Sequence, residues 1–262
     1  MDHEQEALRI IQDTLNKAQG GPFIELPLWY SFVNDIAFDN RFLPSKIKNK
    51  VNDYLDYILQ KDIMHFSVTA GTFLYRSRKI TRAEIKKDTA GNYIGFSKKE
   101  SGVPPYRNAP YGRVGTSGIP VLYTANDIKT SCAELRPTKG EYISVAEFKV
   151  KEDILLANFT LDQINVFEGT PEGKIFLKDM FTSFSMPVSS EYIDYLPSEY
   201  ISEYIRKKHT SLYGIRYSSL HNVGGYNIAL FNEDLCEFNR SFIVQCTYLD
   251  YEFQNINNDD TV

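Results

Sequence analysis

The chain has 262 residues, of which 42% are hydrophobic and 24% charged, a balance typical of a globular protein. Its formal net charge of −5 argues against binding to a nucleic-acid backbone, which requires a basic face. The three cysteines lack the paired spacing of a zinc site, so we expect reduced thiols and no metal. With neither a leader pattern nor an apolar run of roughly 20 residues, the sequence predicts a cytoplasmic protein without a membrane partner.

Residues 1–66 predict a small helical N-terminal domain. Apolar residues recur at helical spacing over residues 4–19. An aromatic patch from Leu28 to Phe38 follows, and Ser45 is a residue type suited to capping the next helix. His65 is interpreted as a structural residue because no catalytic pattern surrounds it.

From residue 67 onward the pattern becomes that of an α+β domain, which we predict to span residues 67–262. Pro197 is well placed to begin a helix, and a loop over residues 95–120 carries five glycines and four prolines. Residues 163–190 give no clear assignment. Strands are predicted over residues 72–76, 121–123, 142–150, 155–161, 212–217, 226–231 and 242–248.

Four side chains in this domain are suited to binding a nucleotide. Arg76 is expected at a strand end and Arg113 in the glycine-rich loop, and two converging guanidinium groups suit a pyrophosphate. Tyr123 is able either to stack on a planar ring or to belong to the core. Glu134 is expected in the first turns of a helix, where it either contacts a ribose and a developing glycosyl cation or only compensates the helix N-terminus. Surface positions for the arginines remain open.

Ser219 and His221 raise the alternative of a serine hydrolase. The Gly-x-Ser-x-Gly elbow is absent, and two residues so close in sequence need an unusual turn to form a hydrogen bond. A serine at a strand end is also able to bind a phosphate or a ribose. The residues alone therefore predict an α+β domain with an Arg/Tyr/Glu/Ser pocket directed at a nucleotide.

Four motifs in order resemble the RES domain, a family named for its Arg, Glu and Ser. The resemblance covers residues 70–235, and one departure from the family pattern is Val114-Gly115, where an aromatic or an Ala-Asn pair is common. The motifs are Tyr75-Arg76-x-Arg78, Gly112-Arg113-x-x-x-x-Gly118-Ile119-Pro120-x-Leu122-Tyr123-x-Ala125, Thr130-x-x-Ala133-Glu134-x-Arg136-Pro137, and Gly214-Ile215-x-Tyr217-x-Ser219 with Gly224-Gly225-x-Asn227-x-x-Leu230-Phe231.

The resemblance implies an ADP-ribosyltransferase-like fold with a split β-sheet, preceded here by a helical extension. It also implies a bacterial toxin or effector that consumes NAD+ by cleaving the nicotinamide–ribose bond. The arginines would hold the phosphates or ribose, the tyrosine would face the nicotinamide end, and the glutamate would support the oxocarbenium-like transition state. The implied catalytic residues are Arg113, Tyr123 and Glu134, and the implied substrate-binding residues are Arg76, Ser219 and Asn227.

The leading hypothesis is an NAD+ glycohydrolase, or a phosphorolase that splits the same bond. Two alternatives are transfer of ADP-ribose to a macromolecule and a weakly active nucleotide sensor that signals through its helical domain. The expected partners are NAD+, an antitoxin or other regulatory partner, and a second copy bound through the N-terminal helices. No nucleic-acid or membrane partner is expected.

Overall fold

The computed structural model describes residues 27–186 and 192–249. The helix predicted over residues 4–19 lies outside the described residues. The helices are α1 (Leu28–Asn34), α2 (Lys46–Leu59), α3 (Lys98–Ser101), α4 (Ile128–Ala133), α5 (Gln163–Val166), α6 (Pro171–Ser185) and α7 (Leu196–Lys208). Short 3₁₀ segments cover Asp62–Met64, Tyr106–Asn108, Tyr192–Tyr195 and Glu233–Leu235, and a π-helical turn covers Asp35–Asp39. Within these two ranges, no helix has the length and apolarity needed to cross a membrane.

The strands are β1 (His65–Val68), β2 (Phe73–Ile80), β3 (Lys86–Lys87), β4 (Tyr93–Ile94), β5 (Leu122–Ala125), β6 (Tyr142–Val150), β7 (Ile154–Phe159), β8 (Gly214–Ser218), β9 (Tyr226–Leu230) and β10 (Cys236–Gln245). Eight of these strands form one mixed sheet in the order β1-β7-β8-β9-β5-β2-β6-β10, and β3 pairs with β4 separately. Together with the helices, this sheet confirms the predicted α+β class.

The large sheet is nearly divided between β5 and β2. These two strands pair only through Tyr75 and Ala125, whereas β2 pairs with β6 along its whole length from Phe73 to Ile80. A junction of one residue pair leaves the neighbouring backbone groups free to line an opening rather than a continuous ladder. The candidate site lies at this junction.

Two hydrophobic clusters cover the two faces of β7, because successive side chains of a strand point to opposite faces. Ala157 and Phe159 belong to one cluster and Ile154 and Leu156 to the other. The first cluster also contains buried residues of helices α1, α2, α6 and α7, so the N-terminal helices share a core with the sheet. The second joins residues from both halves of the sheet, including Leu74 of β2 and Leu122 of β5. The boundary between residues 1–66 and 67–262 stays a prediction.

Several local predictions are confirmed. Strand β6 has its predicted bounds, and Ser45 caps α2 by accepting a hydrogen bond from the amide of Lys48 at 3.1 Å. The unassigned residues 163–190 contain α6, whose first turn is capped by Thr170 through the Gly173 amide at 3.1 Å.

Other predicted bounds are wrong. Strand β10 begins at Cys236 rather than at residue 242, and its first half is polar because β10 is an edge strand with a bulge between Phe238 and Arg240. Arg76 lies inside β2 rather than at its end, because pairing with β6 continues through the polar Ser77-Arg78-Lys79 stretch.

Candidate active site

A cavity of about 330 Å³ opens where β2 meets β5. This volume falls in the range of about 300–1,000 Å³ that is usual for small-molecule sites. Five of the six residues expected in the site line this cavity, namely Arg76, Arg113, Tyr123, Glu134 and Asn227. They come from four different parts of the chain, and only the fold brings them together.

Glu134 is positioned by α4, which begins at Ile128, so Glu134 does not lie in the first turn as expected. Asp127 caps this helix, since its carboxylate accepts hydrogen bonds from the amide and the hydroxyl of Thr130, both at 2.7 Å. The helix ends at Ala133, so Glu134 lies at its C-terminal end. Compensation of a helix N-terminus is therefore the wrong explanation for Glu134, since a carboxylate at a C-terminus opposes the helix dipole.

Two neutral donors hold the Glu134 carboxylate. Its Oε1 atom accepts hydrogen bonds from Ser219 Oγ at 2.6 Å and from Asn227 Nδ2 at 2.7 Å. Ser219 and Asn227 are each only 6% exposed, so both donors are largely shielded from water. Because both hydrogen bonds go to Oε1, Oε2 is left to a ligand. These three residues form what we call the carboxylate cluster.

The turn between β8 and β9 fixes Ser219 against α4. Asn222 Nδ2 donates to Thr130 Oγ1 at 2.8 Å, and the Ser219 amide donates to the carbonyl of Gly225 at 3.0 Å. A Cβ atom on Gly225 would lie 2.2 Å from Thr130 Oγ1, so the close approach of turn and helix requires glycine there. The contact between α4 and the β8–β9 turn therefore holds the residues of the carboxylate cluster in place.

The serine-hydrolase arrangement is not formed. Ser219 Oγ donates to Glu134 and accepts the backbone N–H of His221 at 3.2 Å. The imidazole Nε2 of His221 instead accepts from Arg136 Nε at 3.2 Å. The Ser219 hydroxyl makes no hydrogen bond to the His221 imidazole, so a His-activated serine is absent from this turn.

Tyr123 holds the arginine loop, which we define as residues 111–116. Its hydroxyl oxygen accepts the backbone N–H groups of Val114 at 3.1 Å and Gly115 at 2.9 Å. Burial raises the pKa of Tyr123, so the group remains a neutral phenol. A Cβ on Gly112 would lie 2.9 Å from the same hydroxyl, which explains a glycine beside Arg113.

Both arginines line the cavity, and each donates one hydrogen bond to a backbone carbonyl. Arg113 Nη1 donates to the carbonyl of Ser183 near the end of α6 at 3.1 Å, and Arg76 Nη1 donates to the carbonyl of Tyr123 at 3.3 Å. The buried Nε of Arg76 has no hydrogen-bond partner among the described residues. Burial, assisted by the nearby charge of Arg78, lowers the pKa of Arg76 to about 10, so it is still a cation at neutral pH.

Comparison with protein families matches residues 79–253, about two thirds of the chain, to the RES domain. The chain belongs to the RES domain family. This confirms the resemblance identified from the motifs and connects the protein with NAD and with toxins and effectors in general terms. Comparisons with curated proteins and with solved structures found no match. Arg76, on β2, lies just before the matched span.

The RES domain cavity also has lining residues that sequence reasoning did not select. Tyr75 and Ser77 flank Arg76 on β2, Tyr217 lies on β8, and Tyr195 precedes α7. Tyr75 and Tyr217 stand inside the motifs that indicated the family, so the motifs already contained that signal. Tyr195 follows a stretch without clear periodicity, and only Pro197 at the start of α7 marks its neighbourhood.

Among the described residues, no group of three or more His, Cys, Asp and Glu side chains is arranged to hold a metal ion.

A second, smaller cavity of about 210 Å³ lies behind the arginine loop of this RES domain. Glu199 of α7 lines it together with Val114 and Thr116 of the loop. The Glu199 side chain is 5% exposed, and its Oε1 has no hydrogen-bond partner among the described residues. A buried carboxyl group thus contacts the loop that carries Arg113.

Proposed function

We propose that the protein cleaves the nicotinamide–ribose bond of NAD+, as a glycohydrolase or a phosphorolase. The observation that carries this proposal is the carboxylate cluster, in which Ser219 and Asn227 hold Glu134 in a cavity that also contains two arginines. This combination offers a negative group for a developing cation and positive groups for phosphates.

The reaction breaks the bond between C1′ of the ribose and the nicotinamide nitrogen. The bonding electron pair passes to the nitrogen, which neutralises the pyridinium ring and leaves an oxocarbenium-like ribose. Glu134 Oε2 accepts a hydrogen bond from a ribose hydroxyl and stabilises the positive charge. An oxygen of water or of phosphate then forms a bond to C1′, and when water attacks, its proton is released to the solvent. A carboxylate already held by Ser219 and Asn227 needs little reorganisation as the charge forms.

The two arginines are proposed to bind the pyrophosphate. Both arginines line the cavity, and each uses Nη1 on a backbone carbonyl, which leaves the other terminal nitrogen of each guanidinium group for a ligand. Guanidinium groups bind phosphate oxygens in a bidentate manner and remain charged at neutral pH. Tyr123 contributes by fixing the arginine loop and by lining the same cavity.

An ADP-ribosyltransferase-like fold is part of the proposal. The near-division of the sheet between β5 and β2, with the cavity at that junction, supports a split-sheet dinucleotide site.

Cytoplasmic NAD+ is the proposed substrate, and its depletion is the proposed toxic effect. An antitoxin that covers this cavity is the proposed regulator, and self-association through the N-terminal part is the alternative. Mass-resolved size measurement of the full chain over a range of concentrations tests self-association.

The direct test is product analysis after incubation with NAD+, with and without phosphate. The expected products are nicotinamide with ADP-ribose, or nicotinamide with ADP-ribose 1″-phosphate when phosphate is the acceptor. Glu134→Gln and Arg113→Ala should each lower nicotinamide release about 100-fold or more, by loss of charge stabilisation. Glu152→Gln is a matched control, because Glu152 lies in an exposed turn outside the cavity.

Other outcomes assign the alternatives. Label from NAD+ that remains attached to protein or nucleic acid in a lysate would show transfer of ADP-ribose. Binding of NAD+ by calorimetry with no nicotinamide release would favour a sensor. Unchanged turnover in both Glu134→Gln and Arg113→Ala would refute the site.

A further inference from the structure

Three tyrosines form an aromatic rim next to the cavity. Tyr195 lines the cavity, and its ring centroid is 5.4 Å from that of Tyr111 with an interplanar angle of 59°. Tyr111 in turn contacts Tyr192, with centroids 5.0 Å apart and a nearly perpendicular arrangement. Each distance falls in the range of favourable edge-to-face ring contacts, about 4.5–7 Å.

The rim is held from several sides. The carbonyl of Tyr195 accepts a hydrogen bond from Ser198 Oγ at 3.1 Å, which fixes the backbone at the start of α7. The guanidinium of Arg41 lies 5.9 Å from the centroid of the Tyr192 ring. Other side chains therefore already hold Tyr195 in place in the free protein. Little side-chain entropy is lost when a ligand ring stacks on it.

Three other tyrosines line the cavity, and Tyr75 is one of them, at the point where β2 pairs with Ala125 of β5. The other two, Tyr123 and Tyr217, have structural roles. The Tyr123 hydroxyl is bound by the amides of Val114 and Gly115. Tyr217 is 6% exposed and contacts the ring of Phe184 with centroids 6.4 Å apart. Tyr195 is half-buried, reaches the cavity from outside the sheet, and lacks such a fixed role.

The position of Tyr195 indicates which part of a dinucleotide it meets. Its partner Tyr111 begins the arginine loop, so Tyr195 lies on the side of Arg113. Glu134 is held by α4 and the β8–β9 turn instead. With the nicotinamide ribose at Glu134 and the pyrophosphate at the arginines, the far end of NAD+ would extend toward the rim, since Tyr195 lines the same cavity.

We propose that Tyr195, braced by Tyr111 and Tyr192, stacks on the adenine ring of the substrate and thereby favours dinucleotides over nicotinamide nucleotides that lack a second base. The assignment rests on the proposed cleavage of NAD+. Stacking of a base on an aromatic side chain tolerates different bases, so dinucleotides with another base at that end are accepted as well. Shorter nicotinamide nucleotides without adenosine bind less tightly to the wild type.

The test compares Tyr195→Phe with Tyr195→Ala in steady-state turnover of NAD+ and in competitive inhibition by AMP, by ribose 5-phosphate and by nicotinamide. Tyr195→Ala should raise KM for NAD+ and the inhibition constant of AMP about tenfold each, which corresponds to about 1.4 kcal/mol. The kcat and the inhibition by ribose 5-phosphate and nicotinamide should not change. Tyr195→Phe retains the ring and should behave as wild type, as should Tyr213→Ala, which removes an exposed tyrosine outside the cavity.

Three results would overturn the assignment. Unchanged KM and AMP inhibition in Tyr195→Ala would show that no base stacks there. Weaker inhibition by nicotinamide with unchanged AMP inhibition would place the nicotinamide, not the adenine, at the rim. A fall in kcat alone would indicate a structural role. If the wild type releases no nicotinamide at all, the proposed function fails, and calorimetric binding of AMP to the three proteins still tests Tyr195.

Discussion

Glu199 provides a sharp test of how the arginine loop is supported. Its carboxyl group is 5% exposed and lies close to the Gly112 amide, the Thr116 hydroxyl and Tyr192. These polar neighbours lower the pKa of Glu199, but burial opposes them more strongly and raises the pKa from 4.5 to about 7. The folded protein thus binds this proton more tightly than the unfolded chain does.

The change in pKa converts directly into a dependence of stability on pH. A difference between 4.5 and about 7 corresponds to about 3 kcal/mol, at about 1.4 kcal/mol for each pKa unit. The contribution is fully present below pH 4.5, falls as the pH rises toward 7 and is lost above that value. Glu199→Gln keeps the size and polarity of the side chain but removes the titration, so its stability should lack this fall.

Urea unfolding at closely spaced pH values between 5 and 8 measures the effect as the difference between wild type and Glu199→Gln. The free energy of unfolding of the wild type should fall by about 2–3 kcal/mol more than that of the variant across this range. Glu152→Gln, at an exposed position that lines neither cavity, is the control and should follow the wild type. If the free energy of unfolding depends on pH in the same way for wild type and Glu199→Gln, the reasoning is refuted. That result would mean that the pKa of Glu199 is not raised in the folded protein.

Three further predictions concern the cavity. Gly225→Ala places a Cβ 2.2 Å from Thr130 Oγ1 and should cost about 1–3 kcal/mol in urea unfolding and lower nicotinamide release; full stability and activity would contradict the required close approach. Tyr123→Phe removes the acceptor for two loop amides and should cost about 1–3 kcal/mol and raise KM for NAD+; an unchanged KM would separate the loop from substrate binding. Asn227→Asp puts a second carboxylate beside Glu134, so nicotinamide release should fall at neutral pH and partly recover as the pH falls; a pH–rate profile parallel to that of wild type would contradict this.

Sequence reasoning was most successful where local patterns decide the structure. Alternating apolar residues predicted the bounds of β6 correctly, and the residue type of Ser45 predicted the cap of α2. Patterns were less decisive for α4, because both Asp127 and Thr130 are residue types that begin helices. The structure selects Asp127, and this shifts Glu134 from the start of the helix to its end.

The site itself depended on contacts that spacing cannot show. The motifs named Glu134, Ser219 and Asn227, yet nothing in their spacing indicates that two of them bind the same oxygen of the third. Tyr195 and Glu199 were missed for a related reason. Both lie at the start of a helix whose sequence shows no functional pattern. Their importance comes from contact with cavities that the arginine loop also lines, and that loop is distant in the sequence.

The departure from the family pattern at Val114-Gly115 has a structural explanation in the arginine loop. Val114 is 5% exposed and belongs to the first hydrophobic cluster, and both residues use their amides to bind the Tyr123 hydroxyl. A Cβ on Gly115 would approach Val121 Cγ2 at 3.1 Å, so a larger residue would press on Val121, which directly precedes β5. Backbone groups hold the loop here, and Arg113 is positioned without a side-chain amide at residue 115.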